Sequence, residues 1–161
     1  MIKDLEELVS AAVSEVFSTM LSYDVHLEPP DSPHLNGEMH IAGSVGFIGH
    51  ITGVIYIYAT GSFARQITCR MLGFAEHEIE SNEIVNDTIG ELTNMIVGHF
   101  KSRLSDRGFS CSLTIPSIVC GSNFSIEPIS NTLRKVYSFR CGGNQQLVLE
   151  VLLKASEEVN G

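Results

Sequence analysis

A carboxylate and an amide, Glu91 and Asn94, stand three residues apart in the run at residues 87–101. On a helix, successive side chains step round by about 100°, so residues three apart are neighbours on one face. Such a pair is poorly suited to general acid–base work, because an asparagine amide does not titrate in the accessible range. It can donate and accept hydrogen bonds at once, and so can hold a water in line with a reacting centre. Phosphoryl transfer asks for little beyond positioning and charge stabilisation. Fixing a near-attack geometry for an already reactive acyl phosphate supplies part of that barrier. The carboxylate beside the amide adds a place for a partner's cation.

The element that must carry this pair is legible around it. Val85, Ile89, Leu92, Ile96 and Phe100 fall on one apolar stripe, the pattern of a helix lying on a core. Asp87, Glu91, Asn94, Gly98 and Lys101 fall together on the other side. Glycine inside a helix costs about 1 kcal/mol relative to alanine. A solvated face has no use for Gly98, whereas a face approached closely by another chain does. The spacing therefore predicts a helix that presents Glu91 and Asn94 beside a gap. Without that glycine and the surrounding motif, a Glu and an Asn at this spacing would read as ordinary solvated surface.

The string Asp87-x3-Glu91-x2-Asn94, continued by Met95-Ile96-Val97-Gly98 and then Pro116, resembles the signature of the CheC/CheX/FliY phosphatases, which dephosphorylate the chemotaxis response regulator CheY. One such motif in a chain of this length is most similar to the CheX branch, and 21 residues separate Asn94 from Pro116. The resemblance implies that Asn94 enters the regulator's active site and aligns the attacking water. It implies that Glu91 pairs with the lysine beside the phosphoaspartate, with Asp87, Gly98, Lys101 and Pro116 at the partner-binding surface. It also implies a homodimer, and a Mg²⁺ that belongs to the regulator, so that this chain needs no metal or other cofactor of its own.

Composition narrows the alternatives. The 161 residues are one domain's worth, 43% hydrophobic, without long low-complexity runs. A net charge of −9 and the lack of clustered Lys and Arg argue against nucleic acid and against an anionic membrane surface. The sequence offers no apolar run long enough to span a membrane and no signal-peptide pattern, which together predict a cytoplasmic protein. Cys69, Cys111, Cys120 and Cys141 are scattered, so reduced core thiols are expected rather than bridges. The six histidines show no H-E-x-x-H, and neither G-x-S-x-G nor a Walker-type phosphate loop occurs.

In chain order the pattern predicts a helix over 3–21, with Leu5, Leu8, Val9, Ala12, Val16 and Met20 on one stripe, then a short strand at 23–27. A proline-rich loop over 28–37 leads to a hairpin at 39–47 and 50–60, turned by Gly46 and Gly49. In its second strand both alternating sets are largely apolar, which predicts cover on both sides or an interface on one. A short helix over 62–71, capped by Ser62, stops at Gly73. The motif helix starts after Ser81 and ends near Leu104; short strands at 110–115 and 118–120 are broken at Pro116. A turn-rich stretch at 123–131 precedes a hairpin at 133–141 and 146–154 across Gly142-Gly143-Asn144, and the tail at 157–161 is expected to fray.

The two halves thus read as a divergent repeat of helix, short strand and hairpin. The predicted class is α/β of the α+β kind, a single domain over 1–161: an antiparallel sheet with two long helices on one face. Laying Glu91 over Glu15 puts Asn94 over Ser18, whose hydroxyl is too short to do an amide's work. One site is therefore expected. The function that follows is hydrolysis of a regulator's aspartyl phosphate; the alternative is a non-catalytic module that sequesters the regulator through the same helix.

Overall fold

One set of alternate residues along the last strand joins the main core and shows on which side the helices stack. Leu147, Leu149, Val151 and Leu153 are all fully or almost fully buried, and they point to the side of the sheet where the helices lie. The computed structural model describes residues 4–30, 39–121 and 131–154. The elements are α1 (Leu5–Val16, continued by a π turn over Phe17–Leu21), β1 (Val25–Leu27), β2 (His40–Gly49), β3 (Gly53–Thr60) and α2 (Gly61–Leu72). After a short 3₁₀ turn come α3 (Asn82–Asp106), β4 (Cys111–Leu113), β5 (Ser117–Gly121), β6 (Thr132–Cys141) and β7 (Gln145–Lys154). What the sequence suggested for 31–37, 123–130 and 157–161 lies outside the described residues.

The strands form one antiparallel sheet in the order β1-β6-β7-β3-β2-β4, with β5 also paired to β2. Its centre is the β3·β7 pairing, where Ile55 faces Val151 and Ile57 faces Leu149. About that centre the sheet is a pseudo-twofold. Each half's short strand is hydrogen-bonded to the first hairpin strand of the other half, β1 to β6 and β4 to β2. This is the mixed α+β architecture anticipated, and the repeat is visible in it.

The repeat register differs from the one read by laying Glu91 over Glu15. Val25 opens one short strand and Cys111 the other, so around the short strands equivalent positions lie 86 residues apart rather than 76, while the hairpin strands, His40 against Thr132 and Gly53 against Gln145, lie 92 apart. Glu91 therefore corresponds to the start of α1, near Leu5. Glu15 serves a different purpose, because its carboxylate takes Arg103 at 2.5 Å and faces His99 at 3.5 Å, tying α1 to α3. The Ser18 hydroxyl bonds back to the Glu15 carbonyl.

Three local readings are corrected in the same way. The first hairpin turns over residues 50–52, while Gly46 lies inside β2, where its amide donates to the Thr114 hydroxyl oxygen. The N-cap of α2 is Thr60, whose hydroxyl accepts from the Phe63 amide at 3.1 Å; Ser62 sits inside the first turn. Met20 leaves the apolar stripe, because the wider π turn brings Phe17 and Leu21 into the core and rotates Met20 outwards to 45% exposure. The four thiols are free; Cys111 and Cys141 are buried as expected and Cys69 half so, but Cys120 is exposed on outer strand β5.

Helix α3 lies directly on β2. Gly43 makes that approach possible: a Cβ there would overlap the Thr93 hydroxyl oxygen and stand 3.2 Å from Thr93 Cβ and 3.4 Å from Ile89 Cγ2. Thr93 is completely buried, and its hydroxyl is satisfied by the Ile89 carbonyl at 2.7 Å. Overpacking at such a contact costs roughly 1–3 kcal/mol. Gly43→Ala should therefore lower the thermal midpoint, and adding Thr93→Ala should restore much of the loss. A double-mutant cycle measures the coupling; strictly additive effects would show that the two residues do not compete for the same space.

Candidate functional site

The stripe read from the sequence is the buried side of α3: Val85, Ile89, Leu92, Ile96 and Phe100 are each no more than 6% exposed. Thr88, Thr93, Val97 and Leu104 widen that arc, and the buried Thr88 hydroxyl is satisfied by the Ile84 carbonyl. With so broad an arc committed to the sheet, α1 and α2, the remaining side is fixed. Asp87, Glu91 and Asn94 stand on it, all three exposed. Among the described residues none of the three side chains makes a hydrogen bond or an ion pair. A carboxylate and an amide one turn apart thus project from a rigid helix with their full hydrogen-bonding capacity unspent.

The surroundings of the pair are unlike on its two sides. About 40° round the helix from Asn94 lies Gly90. It is buried because Pro116 and Ile118 rest against it, with Pro116 Cβ only 3.7 Å from where a Gly90 Cβ would be. Pro116 itself is exposed, in the β4–β5 connection, and next to it Ile115 is 85% exposed. About 60° round the other way lies Glu91, at the edge of a shallow groove of about 420 Å³. Gly98, one turn beyond Asn94, has open space where a side chain would be: apart from its own stretch of helix, no described atom lies within 4 Å of an added Cβ.

The structure therefore brings together Asp87, Glu91, Asn94, Gly98 and Pro116. Lys101 lies on the same face about 10 Å further along α3, as far beyond Asn94 as Asp87 lies before it. It is half-buried near β4, where its ammonium opposes the upward push that burial gives the Cys111 thiol. The groove beside Glu91 went unread in the sequence. Its signal was present, since Ile84 and Met95 are apolar residues of α3 that do not belong to the buried stripe. Among the described residues no three His, Cys, Asp or Glu side chains come together as a metal set.

The open space at Gly98 has a measurable consequence. Alanine is favoured over glycine inside a helix by about 1 kcal/mol, and here its methyl would strike nothing. Gly98→Ala should raise the thermal midpoint of the isolated protein; a fall would mean that this part of the face is occupied.

A family model described as "Chemotaxis phosphatase CheX" matches residues 41–140. The chain is 24% identical over 132 residues to the CheY-P phosphatase CheX of Thermotoga maritima, covering 79% of this chain and 84% of that protein. Among solved structures, the chemotaxis protein CheX of Desulfovibrio desulfuricans superposes with a TM-score of 0.79 at 24% identity, over 93% of this chain and 99% of that one. CheX of Borrelia burgdorferi, in a complex with CheY, BeF3 and Mg²⁺, superposes with a TM-score of 0.74 at 22% identity, over 94% and 98% of the two chains.

Proposed function

The chain belongs to the CheX family of chemotaxis phosphatases, and from that membership we propose that it hydrolyses the aspartyl phosphate of a CheY-like response regulator, with Asn94 and Glu91 as the working pair. The observation that carries the reading is the state of these two side chains. Both are exposed on one face of α3, and neither has a partner among the described residues.

In this reading α3 is laid against the regulator's active site. The Asn94 amide, donor and acceptor at once, holds a water in line with the phosphorus. The water oxygen attacks, the bond between phosphorus and the aspartyl oxygen breaks, and the carboxylate leaves with the bonding pair. Orthophosphate is the second product and takes up the water's protons, according to its own acidity. Glu91 pairs with the regulator's lysine and so sets the register of Asn94 over the phosphate. The Mg²⁺ that neutralises the phosphoryl oxygens belongs to the regulator, as does the concave pocket. This chain contributes a convex, rigid surface, which suits a reaction that depends on positioning. Asp87, Pro116 and the open space at Gly98 border the contact, with Lys101 at its far end. The same reading includes a homodimer and a cytoplasmic setting.

The test is release of phosphate from phosphorylated CheY-like regulators of the same cell. Wild type should accelerate it. Asn94→Ala should cut the rate at saturation by about 10²-fold while leaving affinity for the regulator nearly intact, the scale of losing one positioned group. Removing one partner of a desolvated charge pair costs about 2 kcal/mol or more. Glu91→Ala should therefore weaken binding by about 30-fold. No acceleration with any regulator, together with tight binding, would make the chain a sequestering module instead.

A further inference from the structure

The groove beside Glu91 is walled by the C-terminal ends of α1 and α2 and by the first half of α3. Met20 comes from the π turn of α1, Met71 and Leu72 from the last turn of α2, and Ile84 and Met95 from α3; Asp87 and Glu91 form its lip. Met20 and Leu72 are 45% and 46% exposed, although both are large and apolar. The walls are held together. Arg70 donates to the Leu21 carbonyl at 2.8 Å, and its guanidinium lies 4.0 Å over the Tyr23 ring, which locks the end of α1 to α2. The π turn that puts Met20 into this groove leaves the core well packed, since Phe17 and Leu21 take its place inside.

The groove's own lining carries charge of one sign, and Arg70 behind its wall is turned to the Leu21 carbonyl and the Tyr23 ring. None of its lining residues is basic, and among the described residues Asp87 and Glu91 have no cationic partner. Glu83, also exposed, stands one turn before Asp87, so three carboxylates follow one another at i, i+4 and i+8. Like charges so placed repel and weaken a helix slightly unless something positive covers them.

The geometry points to a second anchor for the regulator: the groove takes an apolar side chain that the partner carries next to a cationic one, with the cation on Asp87. This rests on the phosphatase reading, because Glu91 is both the lip of the groove and the proposed partner of the regulator's lysine. The apolar residue must therefore stand within one side chain's length of that lysine, at the rim of the partner's phosphorylation site. Methionine walls suit such a role, since they adapt to partners of differing shape. The groove makes binding depend on the partner's surface and leaves the chemistry to Asn94.

The experiment uses a CheY-like receiver domain loaded with beryllofluoride and Mg²⁺ for binding, and its phosphorylated form for turnover. Met20→Gln combined with Leu72→Gln should weaken binding about tenfold and leave the rate at saturation unchanged. Asp87→Lys should weaken binding further and flatten its dependence on salt. Leu72→Ala alone, at an exposed helix end, provides a milder variant, and unchanged thermal midpoints confirm that each protein is folded. Unchanged affinity in all these variants overturns the groove as an anchor. So does a change in oligomeric state without a change in affinity, which would make a second copy of this chain the occupant. Binding that responds as expected without any phosphate release overturns the phosphatase reading and leaves the anchor standing. No binding to any regulator overturns both.

Discussion

Everything on the exposed side of α3 is aimed by one contact on its buried side, the meeting of Thr93 with Gly43 of β2. The residue next to Thr93 in sequence is Asn94. The closeness of helix to sheet and the direction of the amide are thus set within one residue of each other. Helix packing alone would not give this precision, because aliphatic side chains can slide along a sheet by small rotamer changes. A strand with no side chain at the crossing point, met by a β-branched residue with few rotamers, has little room to slide. The Thr93 hydroxyl closes the arrangement by bonding its own helix, so no unsatisfied polar group is buried there.

The sheet supplies a second constraint. Because β1 completes the hairpin of the second half and β4 the hairpin of the first, neither half has a finished sheet without the other. Symmetry of that kind would allow two equivalent sites, yet the two long helices have diverged. Leu5, near the position matching Glu91, is spent in the core, and Glu15 holds α1 to α3 through Arg103 and His99. In addition α1 ends in a π turn and α2 packs across it, a feature with no counterpart after α3 among the described residues. The groove lies on the side where this asymmetry lies.

How much of this the sequence disclosed depends on how local the cause is. The stripe of α3 was legible because helix period and burial reinforce each other over 25 residues. The long hairpins were legible because apolar residues recur along β7 from Leu147 to Leu153, buried on both faces, and Gly142 and Gly143, both at positive φ, mark the turn. The exposure of Glu91 and Asn94 followed from the same period. Failures came where a single residue's choice was decided by something distant. Gly46 looked like turn chemistry but serves a crossing with Thr114, 68 residues away. Thr60 outcompeted Ser62 as a cap because β3 runs straight into α2 with no intervening loop. Met20 fitted the stripe at a spacing of four, and nothing in the residues themselves announced a turn of wider pitch. The repeat was recognisable as an order of elements but not in register, since the helices share no long string to align.

The proposed reading also explains why Glu91 and Asn94 gave so little away as chemistry. A self-contained enzyme must assemble nucleophile, acid or base, and charge stabiliser in one pocket, and the resulting pKa shifts betray it. Here the proposed reaction divides those parts between two proteins. The partner brings the reactive phosphoryl group, the metal and the enclosure; this chain brings an amide that never titrates and a carboxylate that stays in water until docking. Desolvation, which would strengthen every contact of the pair, comes only with the complex. The free protein can therefore keep both groups solvated at little cost to its own stability. What it must supply beforehand is rigidity, because an amide on a loose loop would lose the positional advantage on which such a mechanism rests. A long helix pinned to the sheet by Gly43 and Thr93 meets that requirement, and a flexible pocket would not.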